Sequence, residues 1–391
     1  MIERQEYLDF LIKLKDKNII KIVTGVRRCG KSTLFTLFKE YLLKNQVSKD
    51  QIISLNFEDV KDNTFKNWEE LYNYIDSKLL EGKMNYIFLD EIQTINGFEK
   101  AVAGLLFQEN VDLYISSSNA CVLSEKFSTY LAGKYMNLHM LPLSFKEYIN
   151  YYGNDNVDKK YSLYVQNGGF PYLLNSNNDT NTIRNLLDCI YSTILLKDLL
   201  VKNNIVTLEK IIKFIFSNIG QLVSTNKIVN SIGFGSISTV NKYLSNLLDC
   251  YIIYKISRYD IKKKIYLKTG VKYYVCDLGL RKYLLGVVRD YCSILENIIF
   301  LELKRRNYEI YIGKYDDMEV DFVVKNKDGI KYIQVSSSVR EEKTLKHELK
   351  SLQAIPDNYP KYIITLDYDY VDYDGIKQIN AIDFLLGNVE I

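Results

Sequence analysis

The chain has 391 residues, enough for two or three domains, and its 47% hydrophobic and 25% charged content excludes a disordered or fibrous class. Lys and Arg total 51 against 48 Asp and Glu, so any basic surface must be local rather than chain-wide. The six cysteines (Cys29, Cys121, Cys189, Cys250, Cys276, Cys292) form no C-x-x-C pair and have only His139 and His347 beside them, which argues against zinc. Scattered thiols and an N-terminus charged from residue 3 predict a cytoplasmic chain with neither signal peptide nor membrane partner.

Residues 19–24 are a short apolar run ending in a glycine turn, and they read as a buried parallel strand. Residues 32–44 follow with Leu34, Leu37, Phe38, Tyr41 and Leu42 on one helical face. Strand 52–57, helix 68–80, strand 86–89, helix 102–107 and strand 113–116 continue the alternation, which predicts a parallel sheet covered by helices. After Leu143 helices are expected at 144–152, 161–167, 183–200 and 208–219, punctuated by Gly168-Gly169-Phe170-Pro171. Helix 225–232, a turn at Gly233-Phe234-Gly235, helix 236–248 and a hairpin of 250–255 with 264–269 then follow the order of a winged helix. The remainder reads as α+β: helix 294–306, strands 319–324 and 330–336 around an Asp328-Gly329 turn, helix 341–355, strand 361–366 and helix 381–386.

The chemistry concentrates in the first third. Gly25-Val26-Arg27-Arg28-Cys29-Gly30-Lys31-Ser32 fulfils G-x-x-x-x-G-K-[ST], the Walker A motif, between a strand and a helix. Its glycines let backbone amides wrap phosphates at a helix N-terminus, Lys31 reaches the β- and γ-phosphates, and the Ser32 hydroxyl ligates Mg²⁺; Thr33 completes the nucleotide-contacting run. Four apolar residues then carry Asp90 to the sheet's C-terminal edge, as in a Walker B motif. Asp90 is expected to hold Mg²⁺ and Glu91 to polarise the attacking water. At the end of the next strand, Asn119 or Ser118 is a candidate contact to the γ-phosphate or the lytic water.

These residues, with LAGKY, LPLSFKEY, GGFPYLL, KYYVCDLGLR, LENIIFLELKRRNYEIYIGK, EVDFVV and YIQVS, resemble a prokaryotic AAA+-type P-loop ATPase family over essentially the whole chain. Its members join the ATPase domain to a C-terminal domain of restriction-endonuclease-like fold. The resemblance implies ATP binding and hydrolysis, with ATP and Mg²⁺ as ligands. It predicts an ATPase domain at 1–143, a helical lid at 144–204, a winged helix at 205–270 and a nuclease-like domain at 271–391. In similar sequences LAG is followed by an arginine, a candidate arginine finger; here Lys134 stands there, a point charge without the planar fork, either finger or purely structural.

Ser236, Ser238, Asn241 and Lys242, with Arg258, Lys262, Lys263, Lys264 and Lys268, are the candidate winged-helix contacts to double-stranded DNA. A protein partner or self-association stays open. Metal-dependent nucleases of the resembled fold place a helical Glu and a strand Asp near E-x-K. Glu296, Glu319, Asp321 and Gln334 occupy the corresponding positions, while Ser336 replaces the lysine and Lys304 is a candidate substitute. An inactive remnant is therefore expected. The sequence as a whole points to an ATP-driven switch or motor; the alternatives are an ATP-gated nuclease and a nucleotide-binding scaffold without turnover.

Overall fold

The computed structural model describes residues 2–62, 64–123, 125–131, 133–176, 179–199, 205–233, 235–286 and 290–391. Of the positions singled out above, Phe234, Ala132 of the LAG segment, residue 200 of the helix expected at 183–200, and the Cys121 and Lys268 side chains lie outside the described residues. The chain divides into two units, Met1–Pro142 with Asp249–Tyr251, and Leu143–Leu248 with Ile252–Ile391.

The first unit runs α1 (Gln5–Leu14), β1 (Ile20–Thr24), α2 (Lys31–Lys44), β2 (Ile52–Asn56), α3 (Trp68–Asp76), β3 (Asn85–Asp90), α4 (Phe98–Leu106), β4 (Val111–Ser117), α5 (Glu125–Leu131) and β5 (Tyr135–His139). Its five strands are all parallel in the order β2-β3-β4-β1-β5, the arrangement of a P-loop NTPase of AAA+ type. β1, β3 and β4 are buried along their whole length, as their unbroken apolar runs require. One face carries Ile20, Ile22, Ile87, Leu89 and Ile115 against Leu71, Ile75, Ala101, Val102 and Leu105 of α3 and α4. On the other, Phe88 stacks on Tyr114 at 4.8 Å and Phe38 of α2 packs on Tyr114 at 5.0 Å. At the base of this face Lys21, fully buried, pairs with Asp112 and donates to the Lys17 carbonyl at 2.7 Å.

The second unit contains α6 (Phe145–Tyr152), α7 (Val157–Asn167), α8 (Thr180–Ile194), α9 (Ile205–Ser217), α10 (Thr225–Ile232), α11 (Ile237–Asp249), β6 (Ile253–Asp260), β7 (Ile265–Val275), α12 (Leu278–Leu285), α13 (Tyr291–Arg305), β8 (Glu309–Tyr315), β9 (Met318–Asn326), β10 (Gly329–Val335), α14 (Glu342–Gln353), β11 (Lys361–Thr365), β12 (Asp372–Tyr373), β13 (Ile376–Asn380) and α15 (Ala381–Leu386). Ser144 and Glu147 close a capping box that starts α6. The glycine pair after α7 is explained by Asp277, which caps α12 and also accepts the Gly169 amide at 2.6 Å. A Cβ on Gly168, at φ +84°, would meet the Asp277 carboxylate at 2.2 Å.

Eight strands form a mixed sheet in the order β12-β13-β11-β10-β9-β8-β6-β7. The hairpin expected to be a short wing is longer than its sequence signal, and β6 pairs in parallel with β8, so the hairpin belongs to this sheet. Residue 270 falls inside β7. One face of the sheet packs Val320, Val323, Tyr332 and Ile363 against Leu349 and Leu352 of α14. Beside that core, the Lys325 ammonium sits 3.7 Å from the Tyr259 ring, 5.2 Å from Tyr266 and 5.3 Å from Tyr311, one side chain from each of four adjacent strands.

Candidate functional site

The loop between β1 and α2 carries the first cluster. Gly25 (φ +155°) and Gly30 (φ +109°) hold backbone conformations that L side chains rarely adopt. A Cβ on Gly25 would lie 2.1 Å from the Met140 carbonyl oxygen, so only glycine lets this loop lie against the start of the next segment. Val26, Arg27 and Cys29 are buried, whereas Arg28, Ser32 and Thr33 are exposed. Arg4, from before α1, fixes the loop by donating to the Cys29 carbonyl at 3.1 Å and the Leu141 carbonyl at 2.8 Å. Burial pushes the Cys29 thiol up, so it is an inert packing residue.

Lys31 begins α2 and is almost fully buried. Its Nζ donates to the Gly25 carbonyl at 3.1 Å and forms an ion pair with Glu91 Oε1 at 3.1 Å. Burial is the largest influence and opposes its charge, but Glu91, Cys29 and Asp90 together outweigh it and raise its pKa. Asp90, at the end of β3, accepts from the Ser116 and Ser32 hydroxyls; burial dominates and raises its carboxyl pKa. Glu91 sits in the left-handed region at φ +57°. Its Oε2 accepts from Gln93 Nε2 at 2.6 Å, the Ser118 hydroxyl at 2.8 Å and the Ser118 amide at 3.1 Å. Burial alone would raise Glu91, yet Lys31, Gln93, Arg27 and Ser118 together hold it down at about 2.

The fold thus brings Lys31, Ser32, Asp90, Glu91 and Ser118 together at the C-terminal edge of the parallel sheet, where open α/β sheets bind ligands. A hydroxyl beside a carboxylate, next to an ammonium and a helix N-terminus, fits a Mg²⁺-bearing triphosphate. Asn119 stands apart: its side chain donates to Cys250 Sγ at 3.9 Å, and Ser118 is the residue on Glu91. Lys134 is exposed, and its carbonyl accepts the Ile20 amide at 3.0 Å, at the start of β1. That is the opposite end of a five-residue strand, roughly 16 Å from the phosphate loop. Arg27 pairs with Glu58 and reaches Ser118 at 3.3 Å. Sequence reasoning missed Arg4, Ser116 and Gln93; Gln93 is the one with a signal, standing two residues beyond Glu91.

The second cluster lies in the other unit. Glu296, Glu319 and Asp321 converge on a lysine from β7, Lys272. Burial raises the Glu296 carboxyl to about 7, with Asp321 adding to the effect. Gln334 accepts the Asp321 amide at 2.7 Å and donates to Ser351 at 3.1 Å. The Ser336 hydroxyl donates to the nearby Ser338 carbonyl at 3.2 Å and its amide to the Ile364 carbonyl at 3.1 Å. Lys304 is not in the cluster; it lies over the Tyr254 ring at 5.0 Å. The clue to Lys272 is its spacing, two residues before Tyr274 and so on the same strand face.

Ser238, Asn241 and Lys242 of α11 are exposed, as is Ser236, which caps the helix by accepting the Thr239 amide at 3.1 Å. Lys262 is engaged by Asp316 at 3.0 Å. Among the described residues no helix is long and apolar enough to cross a membrane.

Residues 17–149 match the AAA domain family, and residues 158–298 match a domain of unknown function (DUF8612). An uncharacterized protein of Haemophilus influenzae is 37% identical over 401 aligned residues, covering 99% of both chains. The uncharacterized protein MJ1544 of Methanocaldococcus jannaschii is 29% identical, covering 94% of this chain and 85% of the relative. Among solved structures, the Walker-type ATPase PABY2304 of Pyrococcus abyssi shares 13% identity at a TM-score of 0.48, covering 73% of this chain and 96% of its own. The RuvB Holliday junction branch migration motor of Thermotoga maritima shares 13% at a TM-score of 0.33, covering 64% of this chain and 87% of its own. The AAA match makes the first unit an ATP-binding domain. Together with the near full-length identity to the Haemophilus influenzae protein, it places this chain in a family of AAA+-like P-loop proteins that carry an uncharacterised C-terminal domain.

Proposed function

We propose that the chain is a Mg²⁺-dependent ATPase whose hydrolysis cycle switches the protein between states. The observation that carries this reading is the Lys31–Glu91 ion pair, set 3.1 Å apart beside Ser32 and Asp90 at the N-terminus of α2. Lys31 exchanges Glu91 for the β- and γ-phosphates of ATP. Glu91, released from that pair, becomes basic enough to take a proton from the attacking water. The water oxygen bonds to the γ-phosphorus, the bond to the β–γ bridging oxygen breaks, and ADP and phosphate leave. Ser32 and Asp90 would hold Mg²⁺, which when bound neutralises charge building between the two phosphates. Ser118, with Arg27 and Gln93 behind it, positions Glu91. Lys134 serves as a finger only toward another copy of the chain, because its own loop lies a strand length away.

The exposed Ser238, Asn241 and Lys242 on one face of α11, with Ser236 at its N-cap, favour double-stranded DNA as the partner that reads the switch. The antiparallel bridge Val223–Val271 next to α10 and α11 supports a winged helix in this region. The deciding experiment is ATP turnover by the full chain with and without double-stranded DNA, beside Lys31→Ala. Loss of ATP binding and turnover in Lys31→Ala is expected. Unchanged affinity for ATP·Mg²⁺ in calorimetry overturns the assignment.

A further inference from the structure

Outside the nucleotide site, Glu296 on α13 gathers with Glu319 and Asp321 on β9. Nucleases of the fold that this part resembles would hold a divalent cation between such carboxylates. The residues here do not fit one. Lys272, its side chain 3% exposed, enters from β7, and its Nζ lies 2.9 Å from Glu296 Oε1, 2.9 Å from Glu319 Oε1 and 3.5 Å from Asp321 Oδ1. An ammonium has three N–H donors, and three carboxylates surround this one. Further donors are in place: the Tyr274 hydroxyl on Glu296 Oε1 at 2.5 Å and the Val335 amide on Asp321 Oδ2 at 2.9 Å. Gln334, the remaining candidate ligand, has its oxygen on the Asp321 amide and its nitrogen on Ser351. Among the described residues no three His, Cys, Asp or Glu side chains are disposed to hold a metal ion.

We propose that Lys272 is itself the cation of this cluster. Its ammonium takes the position a divalent metal needs, so the site is closed to metal-dependent phosphodiester hydrolysis and serves as a strut from β7 to α13 and β9. A dication placed among these carboxylates would lie within about 4 Å of a like charge that is itself buried. The end domain then engages its partner without cutting it.

The test is Mn²⁺ titration of the full chain followed by electron paramagnetic resonance, without nucleotide, so that the outcome does not depend on the ATPase reading. Wild type is expected to bind no Mn²⁺ that Asp321→Asn abolishes. Lys272→Ala, checked for folding by circular dichroism, is expected to gain a site about a hundredfold tighter or more, lost again when Asp321→Asn is added. A folded Lys272→Ala that gains nothing overturns the proposal. So does Asp321-dependent Mn²⁺ binding, or Asp321-dependent cleavage of supercoiled DNA, by wild type. If Lys272→Ala does not fold, these wild-type arms decide alone.

Discussion

Glu91→Gln separates the two duties of the Lys31–Glu91 pair. The substitution keeps the size of the side chain and deletes its charge. In the folded chain, burial pushes the Glu91 carboxyl up, and Lys31, Gln93, Arg27 and Ser118 bring it down to about 2 from an ordinary 4.5. A shift of that size corresponds to about 3 kcal/mol. Because the folded value lies below the ordinary one, this stabilisation is complete above pH 4.5 and is lost only as pH falls through about 2. At neutral pH, Glu91→Gln is therefore expected to lower unfolding free energy by about 3 kcal/mol without nucleotide, since Lys31 stays charged and buried. ATP·Mg²⁺ should narrow that deficit by giving Lys31 its phosphate partners. Turnover should fall about 10²–10⁴-fold while ATP stays bound. Denaturant titrations with and without ATP, beside single-turnover hydrolysis, read all three quantities. Wild-type turnover, or a stability deficit that ATP leaves untouched, refutes the reasoning.

Gly25→Ala should impair ATP binding, because its Cβ would meet the Met140 carbonyl oxygen at 2.1 Å; calorimetry shows this as lost affinity. Lys21→Met leaves Asp112 buried without its cation and should destabilise the protein by about 3–5 kcal/mol in a denaturant titration, without touching the site chemistry. Charge reversal of Lys263 and Lys264 should weaken DNA binding and reduce the log–log salt slope by about 0.9 per lost phosphate contact, read by fluorescence anisotropy against salt. Lys262 is left out of that pair because Asp316 already engages it.

The nucleotide loop was legible in the sequence because its parts are local. Gly25 to Ser32 and the apolar run into Asp90 each lie within one strand and the turn after it. β5 escaped notice because it is an edge strand of mixed burial, so Tyr135–His139 lacks the apolar run that marks its neighbours. β8 and β13 were likewise not expected, because Glu309–Tyr315 and Ile376–Asn380 interleave charged or polar residues with their apolar ones. Arg4 could not be read at all, since one of its partners, the Leu141 carbonyl, is 137 residues away. Lys272 was hidden for the same reason: its carboxylates come from α13 and β9, and a lysine in a strand ordinarily points to water. Neither Ser336 nor Lys304 brings a lysine to the cluster, and Lys272 comes from β7, just beyond the 264–269 segment expected for the wing.

The three tyrosine rings around Lys325 bear on how the large sheet finds its alignment. A strand shifted by one residue turns every side chain to the opposite face. Sliding β9 by one position would put a valine or an asparagine where the ammonium belongs, and would strand Lys325 on the other side. The rings of Tyr259, Tyr266 and Tyr311 come from three strands, so a single misaligned neighbour also spoils the enclosure. The cage acts as a key that one registration of β6 to β9 can turn, selecting among pairings that backbone hydrogen bonds alone would leave nearly equal.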